Sequence, residues 1–368
     1  MKILYTESSP GWGGQEIRIL REAEGMRKRG HEVTMAIQKG GGLVEPAQQS
    51  GFTVYELDFR KARFIPLCLE IAQIVRKNKI QVINTHSSVD AWSAGLVGKL
   101  MALHVVRTRH LSTAVKGGIH GYLLYNFLAD QVVTTCAEVV EMLKKSARLE
   151  SDRCSSVPTG IDPSKVEVDP TEVAAFRDKL GAKPSDIVVG TLCVLRGWKG
   201  IADMLAAAKI LENREDIKWV VVGSGASEDY FKGECKRLGL EKKVVFTGHL
   251  SKPFSALQAF DIFTLLSLGH EGVSQASLQA AYLKKPLVTT STGGLKEVCL
   301  PDRTGIIVDC CAPDQVAQAI LRLAQSPELR LQFGAEAHRL VESSFLFEQT
   351  LDAMEEAFAQ RRSFSRTD

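Results

Sequence analysis

The chain has 368 residues, 45% of them hydrophobic and 24% charged, which is enough to build two ordinary domains with full cores. No apolar run reaches the roughly 18–20 residues of a spanning helix. The start, MKILYTESSPGWGG, lacks the apolar stretch and cleavage site of a signal peptide, so a cytoplasmic protein is expected. Cys68, Cys136, Cys154, Cys193, Cys235, Cys299, Cys310 and Cys311 include no CxxC pair and argue against a disulfide framework or zinc site. The net charge of +3 is uneven: residues 1–165 carry 22 Lys and Arg against 16 Asp and Glu, a net +6, leaving −3 for the rest. That basic first half is compatible with an anionic partner.

Residues 2–5 read as a short strand and SSPGWGG as a turn, followed by a helix over 15–29 with Ile17, Leu20, Ala23 and Met26 at helical spacing. A strand at 31–37 follows. The order strand, glycine loop, helix, strand implies a parallel sheet. It continues with strands at 52–57, 82–86, 105–110 and 131–135, and helices at 66–79, 91–103, 121–129 and 137–145. PTGIDPSKVEVDP (158–170), with three prolines and a glycine, reads as a hinge or linker. A second series then begins, with strands at 187–192, 219–225, 243–248, 261–266, 286–290 and 305–308. Its helices are expected at 201–212, 227–238, 253–259, 273–283, 313–325, 328–342 and 347–361. The expected division is therefore 1–165 and 166–346, both doubly wound. In such sheets ligands bind beyond the carboxyl ends of the strands, and two of them facing each other make a cleft.

The chemistry-bearing stretches all fall at those ends. Gly11-Trp12-Gly13-Gly14 separates the first strand from the first helix, where it either makes a tight turn or lets a phosphate or sugar approach the backbone. It is not GxGxxG, so the dinucleotide fingerprint is absent. LRGWKG (195–200) places Arg196 and Lys199 three apart after a strand, a pair suited to a diphosphate. Gly223, Gly248 and Gly293-Gly294 follow further strands. HEGVSQASLQ (270–279) carries Glu271 ahead of a helix, with Gln279 eight residues on. Glu271 suits the hydroxyls of a neutral sugar, and the amides of Gly272, Val273, Ser274 and Gln275 suit a phosphate.

This ordered set (G-GG, LRxWKG, VVGSG, VFTG, E-G-x7 and PLVTTSTGG) resembles the retaining family 4 glycosyltransferases of GT-B fold over almost the whole chain. The resemblance implies two Rossmann-like doubly wound parallel-sheet domains facing an interdomain cleft. A nucleotide-sugar donor is then held mainly by the second domain and an acceptor by the first, with transfer needing no metal or other cofactor. The last helix, about 347–368, is expected to pack back on the first domain, with Phe345, Phe347, Leu351, Met354 and Phe358 as its buried face. Gly13 and Gly14 match the loop near the donor diphosphate, and Arg196 and Lys199 resemble the phosphate-binding pair. The commoner pattern has its arginine five before the lysine, where this chain has Val194, so Lys199 carries over more securely than Arg196. Glu271 matches the first acid of E-x7-E, which contacts the donor sugar. Gln279 replaces the second acid, which grips the ribose; the amide retunes that contact rather than abolishing transfer. The nucleotide base is expected near Gly248, His249 and Leu250. His110 is favoured over His86 as the histidine that hydrogen-bonds the transferred sugar.

UDP is the favoured nucleotide. The expected acceptor is a glycan or glycolipid of lipopolysaccharide or surface polysaccharide, and the basic stretch at 60–79 reads either as an ordinary amphipathic surface helix or as a peripheral contact with anionic lipid at the inner membrane face. Two alternatives stay open: a non-catalytic nucleotide-sugar-binding subunit, motivated by Gln279, and a nucleotide-sugar epimerase. Nucleic-acid binding is disfavoured because no aromatic-basic interleaving accompanies the mild positive charge.

Overall fold

The computed structural model describes residues 1–110, 115 and 117–360; the end of the predicted last helix, 361–368, lies outside the described residues. The chain divides into two compact units, Met1–Pro158 with Thr350–Asp368, and Thr159–Gln349.

In the first unit, β1 (Lys2–Glu7), β2 (Glu32–Gln38), β3 (Thr53–Leu57), β4 (Val82–Thr85), β5 (His104–Arg109), β6 (Gln131–Thr134) and β7 (Cys154–Ser156) form one sheet in the order β3-β2-β1-β4-β5-β6-β7. Every pairing is parallel. Both faces are covered, so Ile3, Leu4 and Tyr5 are buried in succession instead of alternating. Helix Phe64–Asn78 turns Leu67, Ile71, Ile74 and Val75 toward Leu4, Ile83 and Val97, the 3.6-residue stripe of a helix lying on a sheet. The last helix, Phe347–Ala359, packs from Thr350 onward on helix Gly14–Lys28, with Leu351 against Gly25, where a Cβ would come within 2.6 Å of the leucine. Arg29 pairs with Asp352 and Glu355 at 2.7 Å, and Phe358 meets Tyr5 edge-on.

In the second unit, β8 (Ile187–Leu192), β9 (Ile217–Val222), β10 (Val244–Gly248), β11 (Ile262–Leu265), β12 (Leu287–Thr290) and β13 (Gly305–Val308) run parallel in the order β10-β9-β8-β11-β12-β13. Trp219 is fully buried at the centre of the core, among Leu205, Phe231 and Val244. Gly190 within β8 is needed because the Phe260 ring lies where its Cβ would be. Both sheets reverse their winding once, between β1 and β4 in the first unit and between β8 and β11 in the second. Those are the switch points at which loops diverge and a ligand crevice opens.

Several predicted elements shift. The Pro-rich stretch is not a free linker: the Ile161 amide donates to the Phe345 carbonyl at 2.7 Å, and Thr159–Lys165 belongs to the second unit, as do Phe345 and Phe347. Predicted helix 121–129 is instead helix Gly118–Tyr122 running into a π turn, Leu123–Phe127. Helices Val44–Gln49 and Pro170–Lys179 and strand β7 have no counterpart among the predicted elements. Among the described residues, no helix is long and apolar enough to cross a membrane.

Candidate functional site

The carboxyl ends of β8, β11 and β12 gather the polar side chains of the second unit. After β8 the chain turns tightly at Arg196, whose carbonyl accepts the Lys199 amide at 3.0 Å, and Gly200 then opens helix Ile201–Ile210 at φ 69. Only glycine fits there: a Cβ would sit 1.9 Å from the Leu266 carbonyl oxygen after β11. This close approach of the two loops brings Lys199 Nζ to Glu271 Oε1 as an ion pair. The same Oε1 accepts from Ser267 Oγ at 2.6 Å, and the Ser267 carbonyl accepts from Thr290 Oγ1 at 2.6 Å. Glu271 is buried and the Lys199 side chain is 17% exposed.

Arg196 and Lys199 do not act as one fork. Arg196 is exposed and lies over the Trp198 ring, 5.2 Å from its centroid, while Lys199 turns inward. The Trp198 and His270 rings meet in a T-shaped contact with centroids 5.6 Å apart, and His270 holds a left-handed φ of 62 that turns the chain into Glu271. Beneath this loop lie Gly293 and Gly294 from the end of β12. A Cβ on Gly293 would fall 1.9 Å from the Glu271 carbonyl oxygen, and one on Gly294 would fall 2.4 Å from the Val273 nitrogen. The glycine pair therefore seats residues 271–273.

The helix after Glu271 starts later than the expected 273. Ser274 caps it, accepting the Ser277 amide at 3.3 Å, and the helix is Gln275–Tyr282. Gly272 and Val273 consequently belong to the loop, not to the amide crown of the helix. The Gln275 side-chain Nε2 donates to the Thr159 carbonyl. Gln279 is half-buried on that helix. On the other side of β8, Gly223 is held at φ 128 with the Cys193 carbonyl where its Cβ would be, and its amide donates to the Gly248 carbonyl at 2.9 Å. His249 beyond it is exposed and Leu250 half-buried.

Gly13, Gly14 and His110 belong to the first unit. Gly13 caps helix Gly14–Lys28 in an extended conformation, φ −167, and a Cβ on Gly14 would meet none of the described residues within 4 Å. The protein's own packing does not require these glycines. The loop before them is tied down at its root. Glu7, at the end of β1, accepts from the Ser9 amide at 2.6 Å and from Gln15 Nε2 at 2.5 Å. Asp90, in the capping box of helix Ser88–Leu100, accepts from Ser8 Oγ at 2.9 Å, Thr6 Oγ1 at 3.1 Å and the His86 amide at 2.8 Å. Burial, with Asp90 nearby, pushes the Glu7 carboxyl up to about 7.

His86 and His110 follow the neighbouring strands β4 and β5. Their rings stack at 5.2 Å and share one hydrogen bond, His86 Nδ1 to His110 Nε2 at 2.9 Å; His86 stacks in turn on Tyr5. Burial holds both well below the usual imidazole range. The cations Arg107 and Arg18 add to this for each ring, and His86 does so for His110. Both are therefore neutral near pH 7, and one must donate to the other. Sequence reasoning missed this polar core. Arg18 and Arg107 are 2% and 5% exposed, and Arg18 lies 3.6 Å from the Glu22 carboxylate. A charged residue on the buried face of helix Gly14–Lys28 was the available signal. Ser267 was also missed, although it directly follows the DIFTLL run.

The family model described as Glycosyltransferase Family 4 matches residues 12–165, and that described as Glycosyl transferases group 1 matches 172–340. The uncharacterized glycosyltransferase MJ1607 of Methanocaldococcus jannaschii is 25% identical over 338 residues, spanning 84% of this chain and 85% of its own. The capsular polysaccharide biosynthesis glycosyltransferase CapM of Staphylococcus aureus is 22% identical over 353 residues, 90% of each chain. Among solved structures, Anabaena Alr3699/HepE in complex with UDP superposes with a TM-score of 0.85 at 18% identity, covering 98% of this chain and 100% of that one. With a glycosyltransferase family model matching each half of the chain and this fold shared along its length, the protein belongs to the GT-B glycosyltransferases.

Proposed function

We propose that this glycosyltransferase moves a hexose-type sugar from a UDP-sugar to a hydroxyl of a surface glycan or glycolipid, with retention of configuration and without a metal. The observation that carries the reading is the Lys199–Glu271 pair, braced by Ser267 and seated on Gly293-Gly294 at the switch point of the second sheet. Glu271 accepts hydrogen bonds from the donor sugar. Lys199, neutralised by Glu271 at rest, turns its charge to the diphosphate as the bond to the anomeric carbon lengthens. Arg196 on its Trp198 shelf is a second, more exposed cation for the phosphates. Gly223, Gly248, His249 and Leu250 border the nucleotide, Gln279 meets the ribose, and the amides of Gln275 and Ala276 face the phosphates.

In the reaction the C1–O bond to the diphosphate breaks, with its electron pair leaving on the phosphate. The acceptor oxygen bonds C1 from the same face, and its proton passes to a phosphate oxygen. The open space at Gly14 lets the backbone approach the donor, since none of the described residues fills it. His110 takes part as a neutral hydrogen-bonding group that orients the sugar, not as a proton donor. HepE's complex with UDP and CapM's role in capsular polysaccharide biosynthesis support the choice of nucleotide and acceptor class.

Peripheral membrane contact is part of the reading, but its basis moves from the charges. Arg60 is paired with Asp58 at 2.5 Å and Arg63 with Glu70 at 2.8 Å, so those cations are engaged, while Ile65 and Leu69 are exposed one turn apart. An apolar ridge with Lys61 beside it is the feature that meets lipid, on the cytoplasmic side where donor is available. The test is incubation with UDP-glucose, UDP-galactose and UDP-N-acetylglucosamine, with and without EDTA. Nucleotide release that survives EDTA and is lost in Lys199→Ala supports the reading; binding of every UDP-sugar without release favours a non-catalytic subunit.

A further inference from the structure

His86 and His110 end the adjacent strands β4 and β5, and the bond between them leaves one nitrogen on each ring. It joins Nδ1 of His86 to Nε2 of His110 at 2.9 Å, with the ring planes 27° apart. Two neutral rings can make this bond in two ways, with the shared proton carried by His86 or by His110. The choice decides what Nδ1 of the half-buried His110 offers to a ligand: an N–H in the first case, a lone pair in the second.

We infer that His86 is a positioning residue, donating from Nδ1 to His110 Nε2 and thereby holding His110 as a hydrogen-bond donor at Nδ1 for an acceptor oxygen of the sugar. The sugar rests on the transferase reading, whereas the tautomer does not.

Three observations carry it. The first is that His86 Nε2 is buried and has no hydrogen-bond partner. If His110 supplied the shared proton, a neutral His86 would carry its own on that nitrogen, and an N–H would be buried unbonded. With the proton on Nδ1, the unbonded atom is a lone pair.

The second is the charge around the ring. Arg107 and Arg18 both act on His86, in the same direction as burial. Arg18 has the Glu22 carboxylate at 3.6 Å, but no ion pair to Arg107 is formed among the described residues, and its Nε and Nη1 are buried without an acceptor. Two guanidinium groups against one carboxylate leave the surroundings positive. Because Nδ1 is turned to His110, Nε2 is the nitrogen left facing that field, where a lone pair is favoured over the positive end of an N–H. Asp90 does not reverse this, since it accepts from the His86 backbone amide at 2.8 Å and from Thr6 and Ser8.

The third is that the donor is held still. Tyr5 stacks on the His86 ring at 5.4 Å and 18°, and its own hydroxyl is fixed by a 3.0 Å bond to Glu22. His86 is therefore part of the scaffold, and the more exposed His110 is the group it orients.

The test is long-range 1H–15N correlation NMR of the full chain with 15N-labelled histidine at pH 8, which reads the nitrogen that carries the proton in each ring. The His110 signals are identified by their loss in His110→Asn. The expected result is both His86 and His110 protonated on Nδ1. His86→Phe keeps a ring against Tyr5 but has no donor, so His110 should revert to the Nε2–H form that a free histidine side chain prefers. His86→Asn puts an amide N–H near the place of Nδ1 and should restore the Nδ1–H form. A wild-type His110 protonated on Nε2 would overturn the inference, and so would an Nδ1–H form that persists in His86→Phe. Should His86→Phe not fold, the wild-type spectrum decides.

UDP release from UDP-glucose, followed in the same variants, should fall about fivefold or more in His86→Phe and recover in His86→Asn. Packing alone predicts the reverse order, because asparagine fills less of the space beside Tyr5. Equal loss in both variants would leave His86 a packing role and overturn the positioning one. Absence of release from the wild type would count against the transferase reading alone, because the tautomer is read without any donor present.

Discussion

Lys199 and Glu271, 72 residues apart in sequence, pair at the point where the second sheet reverses its winding, because one follows β8 and the other follows the adjacent strand β11. Removing either partner strands the other in a largely buried place. Lys199→Ala and Glu271→Gln should each lower kcat/KM at least tenfold, and the double variant should fall short of their product. A double-mutant cycle should return a coupling of about 1–3 kcal/mol. Strict additivity would mean that the pair does not act as a unit.

Gly293→Ala drives a methyl group against the Glu271 carbonyl from a backbone at φ 57. It should lower stability by about 1–3 kcal/mol and displace Glu271, so that activity falls even at temperatures where the variant is folded. Gly14→Ala is the opposite case. With nothing within 4 Å of the added carbon, it should leave the melting temperature unchanged or raised while weakening UDP-sugar binding. Calorimetry and donor titration on the two variants separate a glycine kept for packing from one kept for ligand approach.

Glu7 has a carboxyl pushed up to about 7 inside the fold, above the ordinary value of 4.5, so the native state binds its proton more readily than the unfolded chain. Its contribution to stability is therefore complete below pH 4.5 and is lost as the pH rises through 7. Glu7→Gln, which mimics the protonated form, should raise the melting temperature at pH 8 and change little at pH 5. The buried pair His86 and His110 acts in the opposite sense. With both lowered well below 6.5, their contribution is present above that value and declines as the pH falls below it. A melting-temperature profile of Glu7→Gln against the wild type isolates the carboxylate term.

Gln279→Glu restores a second carboxylate on helix Gln275–Tyr282. Charge-assisted hydrogen bonds are roughly twice as strong as neutral ones, so donor affinity should stay the same or improve by up to about tenfold. Isothermal titration with UDP-glucose checks this. Complete loss of binding would show that the amide itself is required.

The sequence makes both sheets legible because strands buried on two faces are continuous β-branched runs: IVVGTL and GIIV coincide with β8 and β13 to the residue. Elements without such a run were not legible. Strand β7 is the polar edge segment Cys-Ser-Ser, and helix Pro170–Lys179 buries no side chain, so neither presents a periodic apolar pattern. At the candidate site, residue types and their loops were readable from glycines and charges placed after strands. Their pairing was not: that Lys199 meets Glu271 instead of lying beside Arg196 depends on strand order, which no local spacing encodes. The His86–His110 contact follows the same logic, arising from the adjacency of β4 and β5. Asp90 was opaque for a different reason. Its contacts to Thr6 and Ser8 join segments more than 80 residues apart across the first switch point.

The central claim is that the second unit's switch point binds a nucleotide-sugar and supports its transfer. The most direct measurement is UDP release from UDP-glucose with EDTA present, comparing wild type, Lys199→Ala and Glu271→Gln, with the product's anomeric configuration read by NMR. The expected result is EDTA-insensitive release by the wild type, loss in both variants, and an α-linked product. Wild-type rates in both variants, or an inverted β product, would contradict it.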